Sequence, residues 1–343
     1  MTTYNRILGN LLGAAIGDAM GGPTEERTTE LIIEKFGGLV TEFVDAPMDT
    51  WAHGAKAGMV TDDFSLAYFT AKAMVDNKGV ASKEVVETSL LKWSEYPEYF
   101  DYNVGPTTRA AVNKLKGIAT EPKKTNPFYI DVCVDNTKST NGAAMKIGPI
   151  GLFSNGDVDH AIAQTVTVCM PTHPNDIAIS GACAVSAAVA KAMAGGGLYE
   201  MADAAIYGAR EGMRLGGKFG NKLAGPSVEK RIYLACDIGL RAGGDWEKGM
   251  YEVRDIIGNG LATVEAVPAA FGLMMAAKGD ILKTVYGGVN IGGDTDTIAC
   301  IAASMAGTYS GYEDHLLPYL EKIDQMNGFD LRATAKDIEK LLK

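Results

Sequence analysis

Asp294, Thr295, Asp296 and Thr297 follow the diglycine Gly292–Gly293 and precede the apolar run from Ile298 to Ala303. Two carboxylates and two hydroxyls at four consecutive positions are electrostatically unfavourable unless positive charge lies among the oxygens. All-oxygen donor sets select hard cations such as Mg²⁺, Mn²⁺ or Ca²⁺. The same stretch also reads as an ordinary helix start, because Asp and Thr cap N-termini and acids suit a first turn. A second cluster, Thr61, Asp62 and Asp63, lies between Gly58 and the segment Phe64–Val75, where Leu66, Ala67, Thr70, Ala73 and Met74 recur at helical spacing. Three consecutive side chains cannot share one helix face, but a cap and a first turn splay around the helix mouth and can converge on a point. Alone, the first cluster reads equally as a cap or a metal site, and the second as a cap. Together they form two half-shells able to hold two divalent ions about 3.5–4 Å apart around a shared water. A lone structural Ca²⁺ site fits less well, because the clusters lie far apart in the chain and lack the dense acidic loop of an EF-hand.

The elements that must bring these clusters together read as helices. Periodicity predicts them over Tyr4–Met20, Glu30–Phe36, Phe64–Val75, Ser82–Tyr96, Thr107–Lys116, Ala161–Val168, Ile177–Met193, Leu198–Leu215, Val228–Leu240, Trp246–Ile256, Val264–Met275, Ile281–Val289, Thr295–Ser310 and Ala333–Leu342. Pro268 either kinks its helix or marks that helix's first turn. A short strand over Tyr129–Val134 is the one alternation worth naming, and Gly117–Asn141 reads as a long loop. No repeat, low-complexity tract or long linker divides the chain. The expectation is an all-α, single compact domain over residues 1–343. A hydrophobic content of 47% supplies its core, and 41 glycines suit closely packed helices.

A formal net charge of −10 argues against a partner bound through a nucleic-acid backbone. It does not argue against a small phosphorylated ligand, since bound cations and helix N-termini supply local positive potential. Cys133, Cys169, Cys183, Cys236 and Cys300 show no C-x-x-C spacing, which favours reduced thiols and a cytoplasmic location. No secretory signal pattern opens the sequence. Ile177–Met193 carries Ser180, Ser186 and Lys191 and reads as a buried core helix rather than a membrane span.

Five segments resemble the ADP-ribosylglycohydrolase family, which includes the dinitrogenase-reductase-activating glycohydrolase and the ADP-ribosyl-acceptor hydrolases. They are Gly9, Gly13, Gly17, Asp18 and Gly21 with Glu25 downstream; Thr61, Asp62 and Asp63; Asn141, Gly142, Met145, Lys146, Pro149 and Gly151; Thr172 with His173; and Asn290 through Thr297. The match runs from near the start to about residue 311 and is weak over Glu95–Thr140 and at the C-terminal end. The resemblance implies an orthogonal all-α fold and a binuclear Mg²⁺ or Mn²⁺ site with Thr61, Asp62, Asp63, Asp294, Asp296 and Thr297 as ligands. It places an acid at Glu25 near the metals and the scissile bond, although Glu26 stands next door and a one-residue shift would exchange them. By the same likeness His173 lines the substrate pocket. Ser139, Asn141 and Gly142, otherwise a turn, form a diphosphate cradle of neutral donors. Asp18 is expected to hold backbone amides. Phe64, where relatives carry a small polar residue, is expected at the pocket floor, and Lys146 stands where many carry Arg.

An N- or O-glycosidic bond to ribose breaks through an oxocarbenium-like transition state, and a carboxylate can serve as general base or acid beside it. Glu25, Asp62 and Asp296 are the expected catalytic acids. The leading expectation is a hydrolase releasing ADP-ribose from a protein side chain or small acceptor. A nucleosidase or other N-ribosyl hydrolase acting on a small metabolite is the alternative within the fold. A catalytically silent ADP-ribose- or nucleotide-binding protein is the alternative outside it, and the intact set of oxygen ligands counts against that one.

Overall fold

The computed structural model describes residues 1–101, 103–118 and 134–343. Among them the chain forms seventeen α-helices and no β-strand. In order they are α1 (Thr3–Gly21), α2 (Thr29–Phe36), α3 (Asp62–Asp76), α4 (Lys83–Trp93), α5 (Pro97–Phe100), α6 (Pro106–Leu115), α7 (Gly148–Leu152), α8 (Val158–Cys169) and α9 (Asp176–Met193). Then follow α10 (Leu198–Phe219), α11 (Val228–Arg241), α12 (Trp246–Ile257), α13 (Thr263–Ala276), α14 (Ile281–Asn290), α15 (Thr295–Ser310), α16 (Leu317–Asn327) and α17 (Leu331–Leu341).

Glycines four residues apart along α1 decide how it packs. Positions spaced by four share a helix face. A Cβ on Gly9 would strike the Gly307 carbonyl, one on Gly13 the Ala303 carbonyl, one on Gly17 the Ala299 carbonyl, and one on Gly21 the Asp296 backbone. Numbers rise along α1 as they fall along α15, so the two helices run antiparallel, backbone against backbone. That register lays the C-terminal end of α1 beside the N-terminal end of α15. Both helices are almost wholly buried, and Asn10 in α1 adds polar ties by donating to the Ser304 carbonyl at 3.1 Å and Thr308 Oγ1 at 2.9 Å.

A second glycine seam joins α9 to α10, where Gly208, Gly212 and Gly216 face Cys183, Ile179 and Asp176. Segment α9 is long and apolar enough to cross a membrane by composition, yet its side chains are buried inside the protein, as expected of a core helix. The largest apolar cluster runs through α1, α3, α4, α7, α9, α10 and α15, with a smaller one under α11, α12 and α13.

Most helix boundaries fall within two or three residues of those predicted. Three differences have clear causes. Helix α3 starts at Asp62 rather than Phe64, because Thr61 is its N-cap and accepts from the Asp63 amide. Helix α10 runs on to Phe219, since its glycines reach down to Asp176. Helix α4 stops at Trp93, leaving Tyr96 to precede α5. Helix α13 passes through Pro268 in its interior. Helices α5, α7 and α16 were not anticipated; each has a proline at its first or second position, which a periodicity reading takes as a break. Of the strand expected over Tyr129–Val134, residues 129–133 lie outside the described residues, as does Cys133.

The α1–α15 seam generates a stability prediction. Gly13→Ala places a methyl on a backbone carbonyl that no rotamer can vacate, and overpacking of this kind costs about 1–3 kcal/mol. Urea unfolding should show that loss; a variant as stable as the parent would mean the helices are not in backbone contact.

Candidate metal centre

The antiparallel seam brings three chain segments to one place. At the end of α1 a 3-10 turn, Gly22–Thr24, carries the chain to Glu25. Glu26, in left-handed conformation, donates its amide to the Gly293 carbonyl, and Gly293 donates back to Arg27, both at 2.9 Å. Gly292 and Gly293 are themselves left-handed, with φ of 83° and 67°; two such residues in succession require glycine. The chain then turns into α15 with Asp294 at its N-cap, and Thr297 donates its amide to Asp296 Oδ1 at 2.8 Å.

Asp18 pins the third segment. Its carboxylate accepts from the Thr61 amide at 3.0 Å, the Thr61 hydroxyl at 2.7 Å and the Phe64 amide at 2.9 Å. Asp18 thus caps the N-terminus of α3 from another helix, the backbone role expected of it. Asp62 and Asp63 in the first turn are delivered to Asp294 and Asp296, and the Gly105 amide at the start of α6 bonds to Asp62. Three helix N-termini, those of α3, α6 and α15, meet at the cluster. Their partial positive ends favour carboxylates.

Carboxylate oxygens of Glu25, Asp294 and Asp296 lie within 4.8 Å of one another. At that separation, with an effective dielectric constant near 20, each charged pair repels by about 3.5 kcal/mol. Three pairs cost about 10 kcal/mol, which rivals the whole net stability of a typical domain, roughly 5–15 kcal/mol. Protons or cations must therefore sit among them. Burial first, then the neighbouring charges of Asp294 and Asp62, holds Glu25 well above the usual carboxylate range. Asp296 is raised by burial and then by Glu25 and Asp63; Asp63 by burial and then by Asp62. Asp62 is pushed up to about 8, mainly by burial and then by Asp18. Asp63 Oδ2 is buried with no hydrogen-bond partner. Such an orphaned oxygen, amid acids and with Thr297 bonded to Asp63, suits a hard divalent cation.

These groups floor a cavity whose far wall is neutral. Asn141 Nδ2 donates to Asp294 Oδ2 at 2.7 Å, and Thr140, Gly142, Met145 and His173 line the wall. His173 is 1% exposed, with Nδ1 at 2.9 Å from Thr172 Oγ1 and Nε2 at 3.1 Å from Thr140 Oγ1. Burial holds its imidazole well below the usual histidine range, so the ring is neutral. A larger groove of about 630 Å³ runs along α3 and α4 past Tyr68, Lys72 and Lys92. Among the described residues it has no comparable group of converging buried acids.

Of the residues expected here, Glu25, Asp62, Asp63, Asn141, Gly142, His173, Asp294, Asp296 and Thr297 all line the cavity. Glu25 joins the carboxylate cluster, whereas Glu26 is exposed at the mouth. Thr61 stands behind Asp62 with its hydroxyl proton given to Asp18. Ser139 is displaced from the wall, because its hydroxyl donates to the Asn136 carbonyl and its own carbonyl holds the Thr263 amide; Thr140 takes its place. Phe64, expected at the floor, is fully buried on the other side of α3, where its ring meets Phe329 and Tyr68. The sequence reading missed Trp51 and Leu261 at the mouth, 61% and 57% exposed, and the Asn103–Thr108 segment. A helix was expected from Thr107, but nothing local shows that its start aims at Asp62.

Converging helix-end carboxylates in an all-α fold form a candidate centre for a hard divalent cation. The sequence profile described as ADP-ribosylglycohydrolase matches residues 1–343, and the chain belongs to that family. It is 30% identical over 338 residues to the uncharacterised protein YegU of Escherichia coli strain K12, covering 96% of each chain. It is 23% identical over 327 residues to the ADP-ribosylhydrolase ARH3 of Homo sapiens, covering 91% of this chain and 87% of the other. Among solved structures, an ADP-ribosylglycohydrolase-related protein complex has the same fold, with a TM-score of 0.65, 19% identity and 99% coverage of both chains.

The raised carboxyls predict how stability depends on pH. An acid whose folded pKa lies above its unfolded value, about 3.9 for Asp, binds more protons in the folded state. Stability then falls as pH rises through that interval and levels off above the folded value. Melting of chelator-treated protein should drop from pH 5 to pH 8, with Asp62 titrating near 8. Excess Mg²⁺ or Mn²⁺ should raise the melting temperature more at pH 8 than at pH 5. Equal cation effects at both values would contradict the cluster's role.

Proposed function

We propose that this protein uses two divalent cations, Mg²⁺ or Mn²⁺, to release ADP-ribose from a protein side chain or small acceptor. The observation that carries the reading is the meeting of five acids, one with an unpartnered oxygen, on the floor of a cavity walled by neutral donors. The proposed ligands are Thr61, Asp62, Asp63, Asp294, Asp296 and Thr297, Thr61 through an oxygen lone pair. Cations bound there supply charge to hold ribose hydroxyls and to acidify a water. Glu25 sits against the cluster with its carboxyl raised, which suits it to take a proton from the attacking water or give one to the leaving group. Asn141 orients Asp294 by its 2.7 Å hydrogen bond, and Thr140, Gly142 and His173 face the phosphoryl part of the substrate. Free buried thiols at Cys169, Cys183, Cys236 and Cys300 fit a reducing, cytoplasmic setting.

Asp62→Asn and Asp296→Asn should each abolish turnover and weaken divalent binding together, read by product release and by calorimetric titration. Full activity with unchanged metal content in both would overturn the ligand assignment. The substrate class is tested by incubating Mg²⁺- or Mn²⁺-loaded protein with ADP-ribosylated peptides, ADP-ribose esters and free nucleosides. Free ADP-ribose is the expected product. Base released from nucleosides, without ADP-ribose, would make the protein a nucleosidase; ligand binding without turnover of any substrate would make it a binding protein.

A further inference from the structure

A buried polar chain runs behind the cavity wall. Lys146 is 2% exposed, and its Nζ donates to Thr172 Oγ1 at 2.9 Å. Among the described residues no carboxylate lies within ion-pairing reach of it; burial pulls the ammonium below the usual lysine range, and Asp62 and Asp63 act on its charge only from further off. Thr172 Oγ1 lies 2.9 Å from His173 Nδ1 and 3.4 Å from the Cys169 carbonyl oxygen. Beyond the ring, Nε2 lies 3.1 Å from Thr140 Oγ1, and Thr140 lines the cavity.

The donor inventory orders the chain. An ammonium can only donate, so Thr172 Oγ1 accepts from Lys146 and has one proton to give. Its two acceptors are His173 Nδ1 and the more distant Cys169 carbonyl, and the shorter contact takes the proton. The charge of Lys146 acts in the same sense, because it repels the positive end of an Nδ1–H dipole aimed at the same oxygen. The neutral imidazole then carries its proton on Nε2 and donates to Thr140 Oγ1. With that lone pair engaged, the Thr140 hydroxyl proton is left for the cavity. Gly142 lets the ring stand this close, since a Cβ there would lie 2.9 Å from both Nε2 and Cε1.

We propose that Lys146, acting through Thr172, fixes His173 as its Nε2–H tautomer and so makes Thr140 a hydrogen-bond donor to a phosphoryl oxygen of the substrate. Lys146 and Thr172 are positioning residues. The tautomer stands on the geometry alone; the phosphoryl oxygen rests on the function proposed above. With the tautomer reversed, the Thr140 proton would be spent on Nε2 and the wall would turn lone pairs toward the anion.

Ring-nitrogen NMR of ¹⁵N-histidine-labelled, ligand-free protein reads the tautomer directly, with the His173 signals assigned by their loss in His173→Gln. The parent should show a protonated Nε2 and an unprotonated Nδ1. Lys146→Met, which leaves Thr172 Oγ1 free to accept from the ring, should shift it toward the Nδ1–H form, and Thr172→Ser, which keeps the hydroxyl, should keep the parent pattern. Lys146→Leu gives the same readout should Lys146→Met fail to fold. In kinetics, both Lys146 variants should raise KM roughly tenfold for a diphosphate-bearing ribosyl substrate, as expected for one lost charge-assisted hydrogen bond, with kcat little changed. A phosphate-free riboside should show no KM change. An Nδ1–H ring in the parent, or a tautomer unmoved in both Lys146 variants, would overturn the relay. The predicted tautomer shift without any KM change would leave the relay standing and remove the phosphoryl contact.

Discussion

Everything at the acidic floor depends on the backbone contact between α1 and α15. Gly9, Gly13, Gly17 and Gly21 meet Gly307, Ala303, Ala299 and Asp296 one turn at a time, and no side chain intervenes to let the register drift. An antiparallel pair fixed in this way has one consequence for chemistry: the exit of the first helix and the entrance of the fifteenth share a point. Glu25 leaves from one and Asp294 enters at the other. Asp18, still inside α1, reaches across to cap α3 and adds Asp62 and Asp63 to the same spot. Two glycine-dependent features, the seam and the left-handed pair Gly292–Gly293, therefore build a site from segments separated by more than two hundred positions.

That placement is held against strong repulsion. The mutual energy of three close carboxylates rivals the net stability of a domain, and burial adds to it. Helix N-termini of α3, α6 and α15 offset part of the cost, and Lys146 lies near enough for the charges of Asp62 and Asp63 to act on it. What remains calls for cations or protons. Among the described residues the opposite wall contributes no further carboxylate: Asn141, Thr140, Gly142 and a neutral His173 present amide, hydroxyl and ring groups to the cavity.

Much of this was legible in the chain. The two acid clusters, each written as a helix start, gave both their local structure and their chemistry, because a cap residue and a first turn are short-range features. The four-residue spacing of glycines in α1 was visible, but its partner was not, since packing register is a property of two helices. For the same reason the helix expected from Thr107 did not reveal that its start meets Asp62, and nothing near Trp51 in the chain marked it as part of the cavity mouth. Phe64 shows the limit most clearly. It follows Asp63 directly, yet one step along a helix turns the side chain by about 100°, from the acidic floor into the aromatic layer of Tyr68 and Phe329. Ser139 and Thr140 divide in the same way: one hydroxyl is consumed by the Asn136 carbonyl while its neighbour reaches the cavity.

The central claim is that these carboxylates are arranged as a two-cation site. Electron paramagnetic resonance of Mn²⁺ titrated into chelator-treated protein tests it most directly. The account predicts two Mn²⁺ bound per chain, with the exchange-coupled spectrum of neighbouring ions, and loss of that coupling in Asp63→Asn. Failure of Mn²⁺ to saturate any site, or a single uncoupled ion indifferent to Asp63 and Asp296, would contradict it.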